Sequence, residues 1–212
     1  MGYLSILFKN TLFILMLFSW TSASAKQTIL VWGDSLSAAY GIPVEKGWVN
    51  LMRQKLGKDF EIINGSISGE TTQGGLTRFP KALTQYKPDL VILELGANDG
   101  LRGIPPMVSR SNLKNIIEAS QKTNAKLLLL GMKIPPNYGV AYSQKFEAIF
   151  VELADKYQLP FIPFFMEDII DKLELFQEDE LHPTAEAQPI LLEKVLIVLE
   201  HALALKKPLI KS

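Results

Sequence analysis

The 212-residue sequence contains no cysteine. This absence excludes disulfide bonds, thiol catalysis and thiolate metal sites. It also excludes a lipoprotein anchor, which requires a cysteine at the processed N-terminus. Histidine is nearly as scarce, with two residues in the whole chain. Any chemistry that needs an imidazole at neutral pH therefore depends on His182 or His201.

An excess of charge of either sign is also missing, because 22 basic and 22 acidic residues cancel. No lysine or arginine run of the kind that follows a phosphate backbone is present, so we do not expect nucleic acid as a partner. The glycine fingerprints of Rossmann and P-loop nucleotide sites are absent too. Asp179 has a single histidine nearby, which falls short of a zinc ligand set. We therefore expect no metal and no cofactor.

The N-terminal residues have the pattern of a secretory signal. An apolar run, Leu12–Phe18, follows Lys9, and Ala23-Ser24-Ala25 is the small-x-small pattern after which signal peptidase cuts. A retained anchor is disfavoured because the run is far shorter than the roughly 18 residues that a spanning helix needs. We predict a signal peptide over residues 1–25 and a periplasmic or secreted, monomeric protein without a membrane span.

Residues 26–212 are long enough to bury one core and are predicted to form a single domain. Short apolar segments alternate with segments of helical periodicity, a pattern typical of an α/β protein with helices on both faces of a parallel sheet. The predicted strands span residues 28–32, 61–64, 90–95, 126–132 and 160–163. The predicted helices span residues 47–56, 75–86, 112–123, 142–157 and 185–205.

Polar, glycine-containing turns follow the first three predicted strands: Gly33-Asp34-Ser35, Gly65–Gly69 and Gly96–Gly100. Ligands of open parallel sheets bind beyond the carboxyl ends of the strands, near the point where strand order reverses. An order beginning 2-1-3, which right-handed crossovers allow, places the first turn between the other two. We therefore expect one cleft at these turns. Glu94, a lone carboxylate in the third strand, is interpreted as paired at the sheet end and receives no chemical role.

Ser35 is the candidate nucleophile, because a serine used in this way needs an imidazole to take its proton and a carboxylate to hold the imidazole. Pro183 favours an extended His182, so that Asp179 and His182 share one loop. The carboxylate can then bind Nδ1 and leave Nε2 for Ser35. His201 falls in the last predicted helix, where a surface contact is expected. The predicted catalytic residues are thus Ser35, Asp179 and His182.

Donors for a developing oxyanion are available in the same turns. The backbone N–H groups of Ser35 and Gly69 and the side-chain amide of Asn98 are the candidates. Each of these residues is ordinary in a turn when it is taken alone. Their joint occurrence at the strand ends, in this chain order, is far more specific.

These residues resemble the SGNH (GDSL) hydrolase family, whose motif residues are serine, glycine, asparagine and histidine in this order. The matching positions are Ser35, Gly69, Asn98 and His182, with Asp179 completing the triad. The resemblance covers essentially the whole chain after residue 25 and is strongest to bacterial esterases, thioesterases and lysophospholipases. It implies a flavodoxin-like three-layer α/β/α fold with five parallel strands, and hydrolysis of esters or thioesters through an acyl-enzyme. Ala97 stands where relatives often have glycine.

Apolar residues near the turns suggest a groove for the acyl group, with Leu101, Ile134 and Tyr138 as the predicted substrate-binding residues, although loop packing explains them equally well. Further candidates are Ile104, Met107 and Pro135. Aryl esters, lysophospholipids and acyl thioesters are the expected substrates. Two alternatives remain open from the sequence: a carbohydrate O-acetyl esterase, and a non-catalytic small-molecule-binding domain on the same sheet.

Overall fold

The structure is a computed structural model that describes residues 26–203. The centre of the fold is one parallel sheet with the strand order β2-β1-β3-β4-β5. The strands are β1 (Gln27–Gly33), β2 (Phe60–Asn64), β3 (Leu90–Glu94), β4 (Lys126–Leu130) and β5 (Phe161–Ile162). Strand order therefore reverses at β1, as the sequence predicts, and a ligand site is expected at its carboxyl end.

The central strands are apolar because helices cover both of their faces. All of β3 is buried, and so is β1 beyond Gln27. The parallel register pairs Val31 with Asn64 on one side and Gly33 with Glu94 on the other. The carboxyl ends of the first three strands are therefore level, and the turns that follow them start from one edge of the sheet.

Seven helices are described: α1 (Ser35–Ala38), α2 (Trp48–Leu56), α3 (Thr72–Tyr86), α4 (Ala97–Leu101), α5 (Pro106–Lys122), α6 (Val140–Tyr157) and α7 (Gln188–Leu203). Helix α2 packs against α7, whereas α5 packs against both α3 and α6. The β1–β2 crossover runs across the sheet in the direction opposite to the later crossovers. Right-handed connections therefore put these two groups on opposite faces, which confirms the three-layer α/β/α prediction.

Helix and strand ends differ from the sequence prediction where local chemistry decides them. Helix α3 begins at Thr72 because Thr71 Oγ1 accepts a hydrogen bond from the Gly74 N–H over 3.2 Å. Helix α5 begins at Pro106, a residue that suits the first turn of a helix. The sequence prediction starts these two helices three and six residues later, because apolar spacing marks the buried face of a helix and not its cap. Strands β4 and β5 are shorter than predicted, and the short helices α1 and α4 were not predicted.

Two predictions concern residues beyond the described part of the chain. The signal peptide over residues 1–25 lies outside it, as do residues 204 and 205 of the last predicted helix. Within residues 26–203, no helix combines the length and the hydrophobicity required to cross a membrane.

Candidate active site

Ser35 is the first residue of α1, and a single residue, Asp34, separates it from the end of β1. Asp34 caps this helix, since its Oδ1 accepts a hydrogen bond from the Leu36 N–H over 3.2 Å. The chain leaves the single turn at Ala39, which adopts a left-handed conformation with φ of 61°. Ser35 is thus held on a tight strand-to-helix turn at the carboxyl edge of the sheet, where backbone N–H groups of a helix start have no helical partner.

His182 lies within hydrogen-bond distance of Ser35, with 2.9 Å between its Nε2 and Ser35 Oγ. Its Nδ1 is 2.6 Å from Asp179 Oδ2. The other carboxylate oxygen of Asp179 accepts hydrogen bonds from the backbone N–H groups of Leu181 and His182. Because an ionised carboxylate only accepts hydrogen bonds, Nδ1 carries the proton and Nε2 is free to accept one from the serine hydroxyl.

Asp179 is suited to stay ionised in this arrangement. Partial burial opposes its ionisation, but the hydrogen bonds from the His182 backbone and ring and from Leu181 outweigh burial and lower the pKa of the carboxyl to about 2. A carboxylate that is charged throughout the neutral range can fix the imidazole tautomer and stabilise an imidazolium.

Tyr40 packs against the imidazole of His182. The ring centroids of Tyr40 and His182 are 4.4 Å apart, with the planes tilted by 41°. Gln177 links the turn of Tyr40 to the loop of His182. Its Nε2 donates hydrogen bonds to the backbone oxygens of Tyr40 at 2.9 Å and of Pro183 at 3.1 Å. Sequence reasoning missed Tyr40 and Gln177, and the only sequence signal for either is their closeness to Ser35 and His182.

Asn98, in the first turn of α4, lines the same cleft as Ser35 and His182. Its Nδ2 donates one hydrogen bond to Asp34 Oδ2 over 3.1 Å, which leaves the second amide hydrogen for a ligand. Gly69 is exposed and has a φ of 78°, a conformation that glycine adopts without strain. Its loop is tied to the end of β1, because the Ile67 N–H donates to the Gly33 oxygen at 3.1 Å. The loop of Gly69 therefore lies beside the Ser35 turn.

Glu94 has a partner that the sequence did not reveal, the carboxyl group of Asp34. Both residues are fully buried. Glu94 Oε2 accepts hydrogen bonds from the Asp34 N–H and the Ser37 hydroxyl, whereas Oε1 is buried and has no hydrogen-bond partner within residues 26–203. Burial, together with the neighbouring Asp34 charge, raises the pKa of Glu94 well above its ordinary value. Burial also raises the pKa of Asp34 to about 6, against the hydrogen bonds that it accepts from the Leu36 N–H and Asn98.

A cleft of about 570 Å³ opens beside these residues. Ser35, Asn98 and His182 line it together with an apolar wall formed by Leu36, Ala97, Leu101, Ile134, Pro135, Phe164, Met166, Ile170, Phe176 and Leu181. Leu101, Ile134 and Pro135, the candidates for the acyl groove, are in this lining, and their contact with substrate stays a prediction. Phe164 and Met166 were missed because they follow β5, far from the motif residues in sequence. Phe176 was missed as well, although it lies three residues before Asp179.

Tyr138 is not among the residues that line this cleft, and its contact with substrate stays a prediction. It ends a short 3-10 turn, Pro136–Tyr138, and its side chain is 41% exposed. The lining of the cleft likewise does not include Ile104 or Met107. Among residues 26–203, no cluster of three or more histidine, cysteine, aspartate or glutamate side chains has the geometry of a metal site.

Comparison with known proteins agrees with this geometry. The model of the GDSL-like lipase/acylhydrolase family matches residues 31–189. An arylesterase of Vibrio mimicus is 48% identical over 177 residues, covering 82% of this chain and 88% of the relative. Thioesterase 1/protease 1/lysophospholipase L1 of Escherichia coli is 41% identical over 169 residues, covering 80% of this chain and 81% of the relative.

A solved structure has the same fold. The psychrotrophic esterase EstA from Pseudoalteromonas, in a structure inhibited by monoethylphosphonate, aligns with a TM-score of 0.81 at 43% identity. The alignment covers 85% of this chain and all of EstA. The resemblance seen in the sequence is therefore confirmed: the chain belongs to the GDSL-like lipase/acylhydrolase family and is a serine ester hydrolase.

Proposed function

We propose that Ser35 is the nucleophile of this hydrolase, that His182 is its general base and acid, and that Asp179 orients the imidazole. The observation that carries the proposal is the 2.9 Å contact of Ser35 Oγ with an imidazole whose other nitrogen is bound to a carboxylate. Ser35 Oγ attacks the carbonyl carbon while His182 Nε2 takes its proton. The imidazolium then protonates the leaving alcohol or thiol, and an acyl-enzyme remains. Water, deprotonated by His182, releases the acid and restores Ser35.

The oxyanion of each tetrahedral intermediate is assigned to the backbone N–H groups of Ser35 and Gly69 and to the amide of Asn98. Asp34 supports this assignment, because its hydrogen bond to Asn98 fixes the amide in one orientation. Donors that are positioned before reaction stabilise the charge that develops without reorganising.

The apolar wall of the cleft supports an ester with a hydrophobic acyl group as the substrate. Relatives carry the names arylesterase and thioesterase/lysophospholipase, and aryl esters, lysophospholipids and acyl thioesters are the corresponding substrate classes. An acetyl group would leave most of the 570 Å³ cleft unfilled, which disfavours the carbohydrate O-acetyl esterase alternative. The contact between Ser35 and His182 disfavours the non-catalytic alternative, because a domain that only binds a small molecule does not require it.

A fluorophosphonate probe tests the nucleophile directly, since it reacts with activated serines. We expect labelling at Ser35, loss of labelling and of ester hydrolysis in Ser35→Ala, and strongly slowed labelling in His182→Ala. Ser111→Ala, a change at an exposed position of α5, is the matched control and should behave like the wild type. Undiminished labelling in His182→Ala would mean that another group activates the serine.

The protein is further proposed to act as a monomer after export to the periplasm or the medium. The signal pattern in residues 1–25 supports export. Deletion of residues 2–25 should keep the enzyme in the cytoplasmic fraction, whereas the full chain should appear outside it and lack the first 25 residues by mass spectrometry. Light scattering of the exported enzyme tests the oligomeric state.

A further inference from the structure

Arg102 lies one helical turn beyond Asn98, directly after α4. Its Nη2 donates a hydrogen bond to the backbone oxygen of Gly69 over 3.0 Å. This contact links the C-terminal end of α4, the helix that carries Asn98, to the loop of Gly69. A permanent positive charge therefore lies against the loop that carries a proposed oxyanion donor.

This charge has no acidic partner among the described residues. Glu70, adjacent to Gly69, forms an ion pair with Arg78 at 2.6 Å. Asp99, on the same helix as Asn98, is buried and accepts hydrogen bonds from Thr72 and Ser109. Because a guanidinium has five N–H donors and Gly69 accepts from one nitrogen, Arg102 retains both charge and donors for a ligand.

The surface beside the guanidinium is open. A methyl group added at Gly103 would meet no atom within 4 Å, and one added at Gly69 would meet only Arg102 Nη2, at 3.8 Å. Neither Gly69 nor Arg102 belongs to the lining of the apolar cleft. An ester with its acyl chain in that cleft therefore has the Gly69–Arg102 surface available for its leaving group.

We propose that Arg102 binds the phosphate of a glycerophosphate leaving group and so selects a lysophospholipid over the matching neutral monoacylglycerol. This proposal rests on the proposed function, because it requires the acyl chain in the apolar cleft and the oxyanion beside Gly69. A planar guanidinium can bind two phosphate oxygens through parallel hydrogen bonds, which are stronger than those of a neutral donor.

The test compares two decanoyl substrates below their micelle-forming concentrations: lysophosphatidylcholine and monoacylglycerol, which differ only in the phosphocholine group. Arg102→Gln should lower kcat/KM for the lysophospholipid about tenfold more than for the monoacylglycerol, mainly through KM. Arg102→Lys should recover part of this difference. Glycerophosphocholine, the product without the acyl chain, should inhibit the wild type more strongly than Arg102→Gln. Arg110→Gln, which removes a surface arginine paired with Glu152, is the control and should leave the substrate ratio unchanged.

An unchanged ratio of kcat/KM values in Arg102→Gln would overturn the proposal. If both substrates lost kcat equally, Arg102 would instead be a positioning residue for Gly69. Failure of the proposed function has a different signature, because the wild type would then hydrolyse neither substrate, or Ser35→Ala would still hydrolyse both.

Discussion

Asp34 and Glu94 form a buried pair of carboxyl groups next to the nucleophile turn, with the Asp34 N–H donating to Glu94 Oε2 over 3.2 Å. Three of the four carboxyl oxygens accept hydrogen bonds, from the Leu36 N–H, Asn98, the Asp34 N–H and Ser37. The fourth, Glu94 Oε1, accepts none within the described chain. Burial and the Asp34 charge raise the pKa of Glu94 well above its ordinary value, whereas the hydrogen bonds from the Leu36 N–H and Asn98 favour the charged form of Asp34. Glu94 is therefore the neutral member of the pair, and Asp34 is the charged partner that binds Asn98.

Glu94→Gln should become more stable relative to the wild type as the pH rises from 4 to 8. Burial raises the native pKa of Glu94 above its ordinary value of 4.5, so the unfolded state loses this proton first. The wild type therefore loses stability as the pH rises above 4.5, whereas a glutamine, which keeps the neutral shape, does not. Urea unfolding at a series of pH values measures the difference.

Glu61→Gln, a change at an exposed position of β2, provides the control for this pH series and should not show the effect. A stability difference between Glu94→Gln and the wild type that does not change with pH would contradict a neutral Glu94. Glu94→Leu should be destabilised at every pH, because it leaves the Asp34 N–H and the Ser37 hydroxyl without their acceptor.

Asn98→Ala should lower kcat by roughly 10² to 10³ with little change in KM, since the amide acts on the oxyanion that develops during reaction. The variant also deprives Asp34 of a hydrogen bond, so the Tm should be recorded with the steady-state kinetics. A raised KM at an unchanged kcat would make Asn98 a contact for the bound substrate only.

The sequence predicts those parts of the candidate site whose residues lie close together along the chain. Ser35 lies two residues after the end of its strand, and Asp179 and His182 share one loop, so short motifs contain their geometry. The partnership of Glu94 with Asp34 depends on the pairing of two strands that are 60 positions apart, and no local pattern encodes it. The apolar wall after β5 was missed for the same reason, because Phe164 and Met166 reach the cleft only through the order of the sheet.

Tyr40→Ala should lower kcat by about three- to tenfold, because the tyrosine ring confines the imidazole of His182 and aromatic contacts of this kind contribute about 0.5 to 1.5 kcal/mol. Tyr40→Phe keeps the ring and should remain close to the wild type. Steady-state kinetics on an aryl ester separates the two variants. Equal activity of both would show that the Asp179 hydrogen bond alone orients the imidazole.

The acyl-chain profile tests the cleft, and Ile134 is the position that should control it. Its side chain is 5% exposed and lines the apolar wall. Each methylene that the wall shelters contributes up to about 0.8 kcal/mol, so kcat/KM for p-nitrophenyl esters should rise with chain length until the cleft is filled. Ile134→Trp takes up part of this volume and should shift the optimum to shorter chains while acetyl esters are still hydrolysed.

Tyr138→Ala is the matched control for Ile134→Trp, because Tyr138 was also expected in the groove but lies outside the cleft lining. We expect this variant to keep the wild-type chain-length profile, so that a shift in Ile134→Trp is attributable to the wall. Thermal unfolding of both variants shows whether the larger side chain disturbs the fold. If acetyl esters are the best substrates of the wild type and Ile134→Trp leaves the profile unchanged, the cleft does not bind the acyl chain and O-acetyl ester hydrolysis becomes the better assignment.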